Sequence, residues 1–228
     1  MHGMIDAIVL QARIRSTRLP GKLLLPLCGK TIFEHILARL LAACAPDAVM
    51  VATTPSTEPR IAAAAASHGV PIHVGSEEDV LGRYAEAVSR WELRNVVRAT
   101  GDNPLVSIEY IDMSLKLHRE SGADLTVYPD LPYGTGVEVI RGDSLLLASA
   151  SAQDPFEREH VTQYIYRHED RFRVLRGAPE PFFCRPELRL TVDTEEDYRR
   201  MERIYGALYR GRPIGLGEVI AYLDSGGA

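Results

Sequence analysis

Short apolar runs alternate with amphipathic helical patterns through the first 128 residues, and this alternation limits the fold more than any other feature. "IDAIVLQ" precedes "TIFEHILARLLAAC", where Thr31 and Glu34 form an S/T-x-x-E capping box. "DAVMVATT" precedes the alanine-rich "EPRIAAAAASHG", which Gly69 should stop. "VPIHV" precedes "EDVLGRYAEAVSRWEL", with Val80, Tyr84, Val88 and Trp91 at helical spacing, and "NVVRAT" supplies a further strand. Strands separated by helices of this length imply right-handed crossovers, a mostly parallel sheet and a three-layer α/β sandwich.

The second half is less regular. "DLTVY" and "GVEVI" read as strands, "PFEREHVTQYIYRHEDRF" as one long polar-faced helix, and "PELRLTVDTEEDYRRMERIYGALY" as a strand followed by a helix with Thr194 as N-cap. With no repeat, low-complexity segment or linker, residues 1–228 are expected to form a single domain.

In an open parallel sheet, ligands collect beyond the carboxyl ends of the strands. Three polar signals fall at such ends: "QARIRSTRLPGK" at 11–22, "TGDNP" at 100–104 and "TVDTEED" at 191–197. The first places Arg13, Arg15, Arg18 and Lys22 within twelve positions of a chain whose formal net charge is -5. An acidic chain lacks the broad basic face that general nucleic-acid binding requires, so a local basic cluster calls for a local anion. Asp102 and Asp193 are candidate ligands for Mg2+, which prefers one or two carboxylates plus phosphate oxygens and water. The combination points to a nucleoside triphosphate. Each signal also has a structural reading: a solvated basic loop, a "GDNP" turn, and an acidic residue favouring the start of its helix.

Competing motifs fail on inspection. A Walker A loop ending in "GKT" at 29–31 needs glycine where Leu24 stands, and "GTGVEV" has Val139 in place of the last glycine of a dinucleotide fingerprint. HExxH and G-x-S-x-G are absent. Cys28, Cys44 and Cys184 are odd in number and widely spaced, so they read as small buried hydrophobes rather than as disulfide or zinc partners. No apolar stretch reaches a bilayer span and no signal-peptide pattern is found, which makes no membrane association and a cytoplasmic location the default expectation.

Taken together, "QARIRSTRLPGK", "VATT", "GSEEDVLGRY", "RATGDNPLV", "EREHVTQYIY" and "LRLTVDTEEDY" resemble the cytidylyltransferase family of the spore coat polysaccharide biosynthesis F type. They are more distantly similar to the synthetases of CMP-ketodeoxyoctonate and CMP-sialic acid. The resemblance implies a Rossmann-like, nucleotide-diphospho-sugar transferase fold and transfer of CMP from CTP to an acceptor such as a sugar acid, with Mg2+ as cofactor. It also implies a homodimer, with residues 129–186 forming a dimerisation and acceptor-side region. By similarity, Ala12 and Arg13 lie at the nucleotide; Arg13, Ser16, Arg18 and Lys22 surround the triphosphate; Thr53 lies near the base or ribose; and Asp102 and Asp193 hold the metal. Arg13, Arg18 and Lys22 are the candidate catalytic residues. Asn103, Glu138 and His160 adjoin the motifs as candidate acceptor contacts. Thr54 departs from the pattern, because some synthetases have aspartate there. A nucleotide-sugar-dependent glycosyltransferase, a phosphonate cytidylyltransferase and a non-catalytic nucleotide-binding regulator are the alternatives. The first is disfavoured by the single aspartate of "GDNP", where such enzymes carry D-x-D, and the last by the retention of Lys22 and both aspartates.

Overall fold

The computed structural model describes residues 4–227. In chain order its elements are β1 (Ile5–Gln11), a hairpin of β2 (Pro26–Leu27) and β3 (Lys30–Thr31), α1 (Ile32–Leu40), β4 (Ala48–Thr53), α2 (Glu58–Ser67), β5 (Ile72–Val74), α3 (Val80–Trp91), β6 (Leu93–Thr100), α4 (Ile108–Ser121), β7 (Leu125–Val127), β8 (Glu138–Arg141), α5 (Gly142–Ser151), α6 (Pro155–Glu159), α7 (Gln163–Arg167), β9 (Val174–Arg176), α8 (Glu195–Leu208) and α9 (Leu216–Asp224). A seven-stranded sheet runs β5-β4-β1-β6-β8-β7-β9. Only β8 opposes its neighbours; the other pairings are parallel.

The central strand shows why two apolar layers form. In β1, Ile8 and Leu10 point into one cluster with Phe33, Ile36, Tyr110 and Ile204, while Ala7 and Val9 point into another with Leu81, Tyr84, Leu145 and Ile165. Side chains alternate across a strand, so a strand covered on both faces reads as the unbroken apolar run of the sequence. The helices thus sandwich the sheet, with α1, α2, α4, α8 and α9 on one face and α3, α5 and α7 on the other. The Thr31–Glu34 capping box forms, and Thr194 caps α8 by accepting from the Asp197 amide. Among the described residues no helix is long and apolar enough to cross a membrane.

Three sequence expectations change. The long helix over "PFEREHVTQYIYRHEDRF" is two short ones, broken where Val161 takes φ 49°. A β-branched residue is costly there, by about 1–3 kcal/mol. Tertiary contacts offset that cost: Val161 is buried in the core beside Tyr164, and the Thr162 hydroxyl donates to Glu138. "LRLTV" is not a strand of the sheet. It runs beside Tyr133 through a bridge at Arg189, and the Val192 amide donates to the Asp102 carbonyl at 2.8 Å. The three cysteines are exposed rather than buried, since all lie in turns and connections instead of on core-facing positions.

Candidate active site

From β1 the chain moves outward to β4 and β5, then returns to β6 on the other side of β1. The sheet order therefore reverses between β1 and β6, the position at which open α/β sheets present a crevice. Gln11 and Thr100, the last residues of these strands, are paired, and the Gly101 amide donates to the Gln11 carbonyl at 2.9 Å. A Cβ on Gly101 would stand 3.2 Å from the Gln11 carbonyl oxygen and 2.7 Å from Leu23 Cδ2, so glycine eases the close approach of the two strand exits.

The basic loop leaving β1 is clipped to the end of β4. The Ala12 amide donates to the Ala52 carbonyl at 3.1 Å, the Thr53 hydroxyl donates to the Ala12 carbonyl at 2.8 Å, and the Ile14 amide donates to the Thr57 hydroxyl at 3.1 Å. Ala12 and Thr53 are fully buried, and these hydrogen bonds fix the loop against the end of β4. In this structure both residues shape the loop that carries the arginines. The Ser16 hydroxyl accepts from the Leu19 amide at 3.3 Å, stiffening the same loop. Arg13 pairs with Glu159 at 3.5 Å, Arg15 with Glu77 at 3.4 Å and Arg18 with Asp193 at 3.1 Å. These guanidinium groups are largely exposed. Pairs of that kind contribute about 0–1 kcal/mol and exchange readily for another anion.

Lys22 behaves differently. Its side chain is only 12% exposed, and Nζ donates to the Val192 carbonyl at 2.8 Å, to Asp193 Oδ1 at 3.0 Å and to Asp102 Oδ2 at 3.4 Å. The other oxygen of each carboxylate is held elsewhere: Asp102 Oδ1 accepts from Thr100 at 2.6 Å, and Asp193 Oδ2 accepts from Arg189 at 2.6 Å. Burial alone would raise the pKa of Asp193, but the hydrogen bond from Lys22 and the charges of Lys22, Arg18 and Arg189 outweigh it and hold the carboxyl below its usual range. The structure therefore brings Lys22, Arg18, Asp102 and Asp193 together from three separate segments, as the motif positions imply. Arg13 points away toward Glu159, at the end of α6.

The candidate acceptor contacts divide. Asn103 adjoins Asp102 and donates to the Thr100 hydroxyl at 2.9 Å, with its buried Oδ1 left unpartnered. His160 is exposed at the end of α6, its ring 4.3 Å from that of Phe156. Glu138 is not free: it accepts from Arg98 at 2.7 Å, from Thr162 at 3.1 Å and from Tyr166 at 3.0 Å. Burial, and then the negative charge of Glu138, push the Tyr166 hydroxyl pKa up, so it stays a proton donor. Glu138 thus ties α7 to the sheet. Arg189, Thr100 and Arg98 were not singled out from the sequence. Arg189 had a signal, since it stands four residues before Asp193 in "RLTVD".

Among the described residues no three His, Cys, Asp or Glu side chains cluster as a metal site. Two carboxylate oxygens do converge on one cation position, filled here by the Lys22 ammonium.

A family model described as cytidylyltransferase matches residues 7–214. The chain is 32% identical over 223 residues to the spore coat polysaccharide biosynthesis protein SpsF of Bacillus subtilis, covering 95% of this chain and 92% of that protein. It is 27% identical to a 3-deoxy-manno-octulosonate cytidylyltransferase of Francisella tularensis subsp. novicida, over 92% of this chain and 88% of the relative. Among solved structures, a cytidylyltransferase from Leptospira borgpetersenii superposes with a TM-score of 0.90 at 27% identity, covering 98% of this chain and 95% of that one.

Proposed function

The chain belongs to the cytidylyltransferase family, and from that premise we propose that it transfers CMP from CTP to a sugar acid for surface polysaccharide synthesis, releasing pyrophosphate. One observation carries the placement of the reaction: Lys22, Asp102 and Asp193 converge under a loop of exposed arginines at the point where the sheet order reverses. The names of the Bacillus and Francisella relatives, which refer to polysaccharide biosynthesis and to an eight-carbon sugar acid, support this acceptor class.

The pair of converging carboxylate oxygens fits Mg2+, which takes few protein ligands and completes its shell with phosphate oxygens and water. Asp102 and Asp193 would hold it. When bound, the ion supplies charge neutralisation at the α-phosphate and the leaving group. The remaining work belongs to the protein. Arg18 and Lys22 take the triphosphate oxygens, with Arg13 at the mouth of the loop; a guanidinium fork suits two phosphate oxygens and an ammonium acts as a point charge. Thr100 and Arg189 keep the outer carboxylate oxygens fixed. An acceptor hydroxyl attacks the α-phosphorus. The new P–O bond forms as the α–β bridging bond breaks, pyrophosphate leaves with the electron pair, and the hydroxyl proton passes to water.

A homodimer belongs to the same reading, supported by Leu147 and Phe156, each 46% exposed on α5 and α6 within region 129–186. A monomer in sedimentation at micromolar concentration removes that part. A cytoplasmic location accords with the use of CTP.

Pyrophosphate release from CTP with eight- and nine-carbon 2-keto sugar acids tests the activity. Acid-dependent release is expected, falling by about 10²–10³ in Lys22→Ala and Asp102→Asn. Near-wild-type turnover in both folded variants contradicts the assignment.

A further inference from the structure

The Lys22 ammonium is already fully employed. It has three donors, and the structure gives it three acceptors: the Val192 carbonyl, Asp193 Oδ1 and Asp102 Oδ2. It is also shielded, at 12% exposure beside an Asp193 side chain of the same exposure, whereas Arg15 and Arg18 of the same loop are 76% and 62% exposed. A lysine serving only as a phosphate ligand would be expected to stand as exposed as those arginines. Two converging, partly desolvated carboxylates repel one another unless a cation lies between them.

We infer that Lys22 is the built-in counter-cation of the Asp102–Asp193 pair, and that its ammonium and a divalent cation are alternative occupants of one position. The inference rests on the proposed metal role of the two aspartates. Three features of the geometry fit an exchange. Each carboxylate has one oxygen anchored independently of Lys22, by Thr100 or by Arg189, so the pair keeps its aim when the ammonium leaves. A lysine has a flexible four-carbon stem that can carry its charge a short distance, which a fixed backbone donor cannot. Its destination lies in the same loop, where the exposed arginines would gather a triphosphate.

The consequence is coupled loading. Without nucleotide, a divalent cation must displace a bound charge and leave the ammonium without partners. With a triphosphate present, Lys22 moves to the phosphate as the metal takes its place. By linkage, CTP then tightens the metal by the same factor as the metal tightens CTP. The fold thereby guards against idle occupation of the site by free metal ions.

Mn2+ binding, followed by the electron paramagnetic resonance signal of the free ion, tests this in wild type, Lys22→Met and Lys22→Gln. Without CTP, both variants are expected to hold Mn2+ about tenfold more tightly than wild type, a typical coupling magnitude. The gain should vanish when Asp193→Asn is added. Folded variants that bind Mn2+ no more tightly than wild type overturn the inference. A companion series with CTP, corrected for the Mn2+–CTP complex in solution, separates the two levels. If the Lys22 variants fail to tighten Mn2+ while Asp102→Asn and Asp193→Asn weaken it with CTP, the metal reading stands and only the exchange falls; if the aspartate variants leave it unchanged, the metal reading itself fails. Should neither Lys22 variant fold, wild type decides: an affinity that CTP changes by less than about twofold overturns the inference.

Discussion

At Asp193, one carboxylate collects three cations: Lys22 and Arg18 on Oδ1, and Arg189 on Oδ2. Arg189 also approaches Asp197 at 3.5 Å and lies 4.9 Å from the Tyr133 ring, so its own position is fixed from several sides. It should act through Asp193, as an outer-shell partner acts through a ligand. Arg189→Ala is expected to lower pyrophosphate release by about 10–100-fold while the thermal midpoint changes little; steady-state assays and a melt of the same sample check both. The convergence of Lys22, Arg18, Asp102 and Asp193 was legible because each is charged and each follows a strand or precedes a helix at the same edge. For Thr53, Ala12 and Glu138, adjacency to a motif does not reveal which polar atoms are already engaged within the protein. Thr53 is spent on the Ala12 carbonyl, and Glu138 on Arg98, Thr162 and Tyr166.

The elements around the site are held by junctions rather than by length. Asp79 caps α3 by accepting from the Gly82 amide and also pairs with Arg158 of α6, joining two elements with one side chain. Burial works to raise its pKa, but the Arg158 and Gly82 hydrogen bonds win and lower it. Its contribution is therefore fully present above the ordinary aspartate value of 3.8 and is lost as pH falls through the lower folded value. Asp79→Ala is expected to cost about 0.5–2 kcal/mol in urea denaturation near neutral pH, with the difference from wild type shrinking below about pH 4. At Gly134, φ is +93° and an added Cβ would meet the Thr191 amide at 2.8 Å. Gly134→Ala should cost about 1–3 kcal/mol and shift the extended segment leading to Asp193, so melting temperature and turnover should fall together. The capping box of α1 and the Thr194 cap of α8 could be read locally, since each involves residues three apart. The break between α6 and α7 could not, because it depends on Glu138, twenty-four residues from Thr162. The short strand β9 and helices α5 and α9 were likewise not singled out, the helices having weaker local start signals.

At the scale of the molecule, the alternation of strands and helices determined the layers, while the antiparallel insertion of β8 between β6 and β7 depended on pairings between distant segments. The sandwich also buries neutral histidines. His118, held by Thr126 and Asn95, has its pKa lowered from 6.5 to about 4, chiefly by burial and then by Arg141; burial likewise lowers His35 and His73. The unfolded chain therefore binds more protons below pH 6.5, so stability is full above that value and declines as pH falls toward about 4. His118→Gln should flatten that decline, as comparison of urea midpoints at about pH 7.5 and about pH 5 will show. On the proposed function, the edge where β1 and β6 meet is a CTP site built on Asp102, Asp193 and Lys22. A thermal shift with Mg2+ and each of CTP, UTP, ATP and GTP tests it most directly. Near hundredfold saturation, CTP should raise the melting temperature by about 5–10 °C, more than the other three, and the rise should collapse in Asp193→Asn. Equal shifts with all four nucleotides, or an undiminished CTP shift in Asp193→Asn, would rule out such a site.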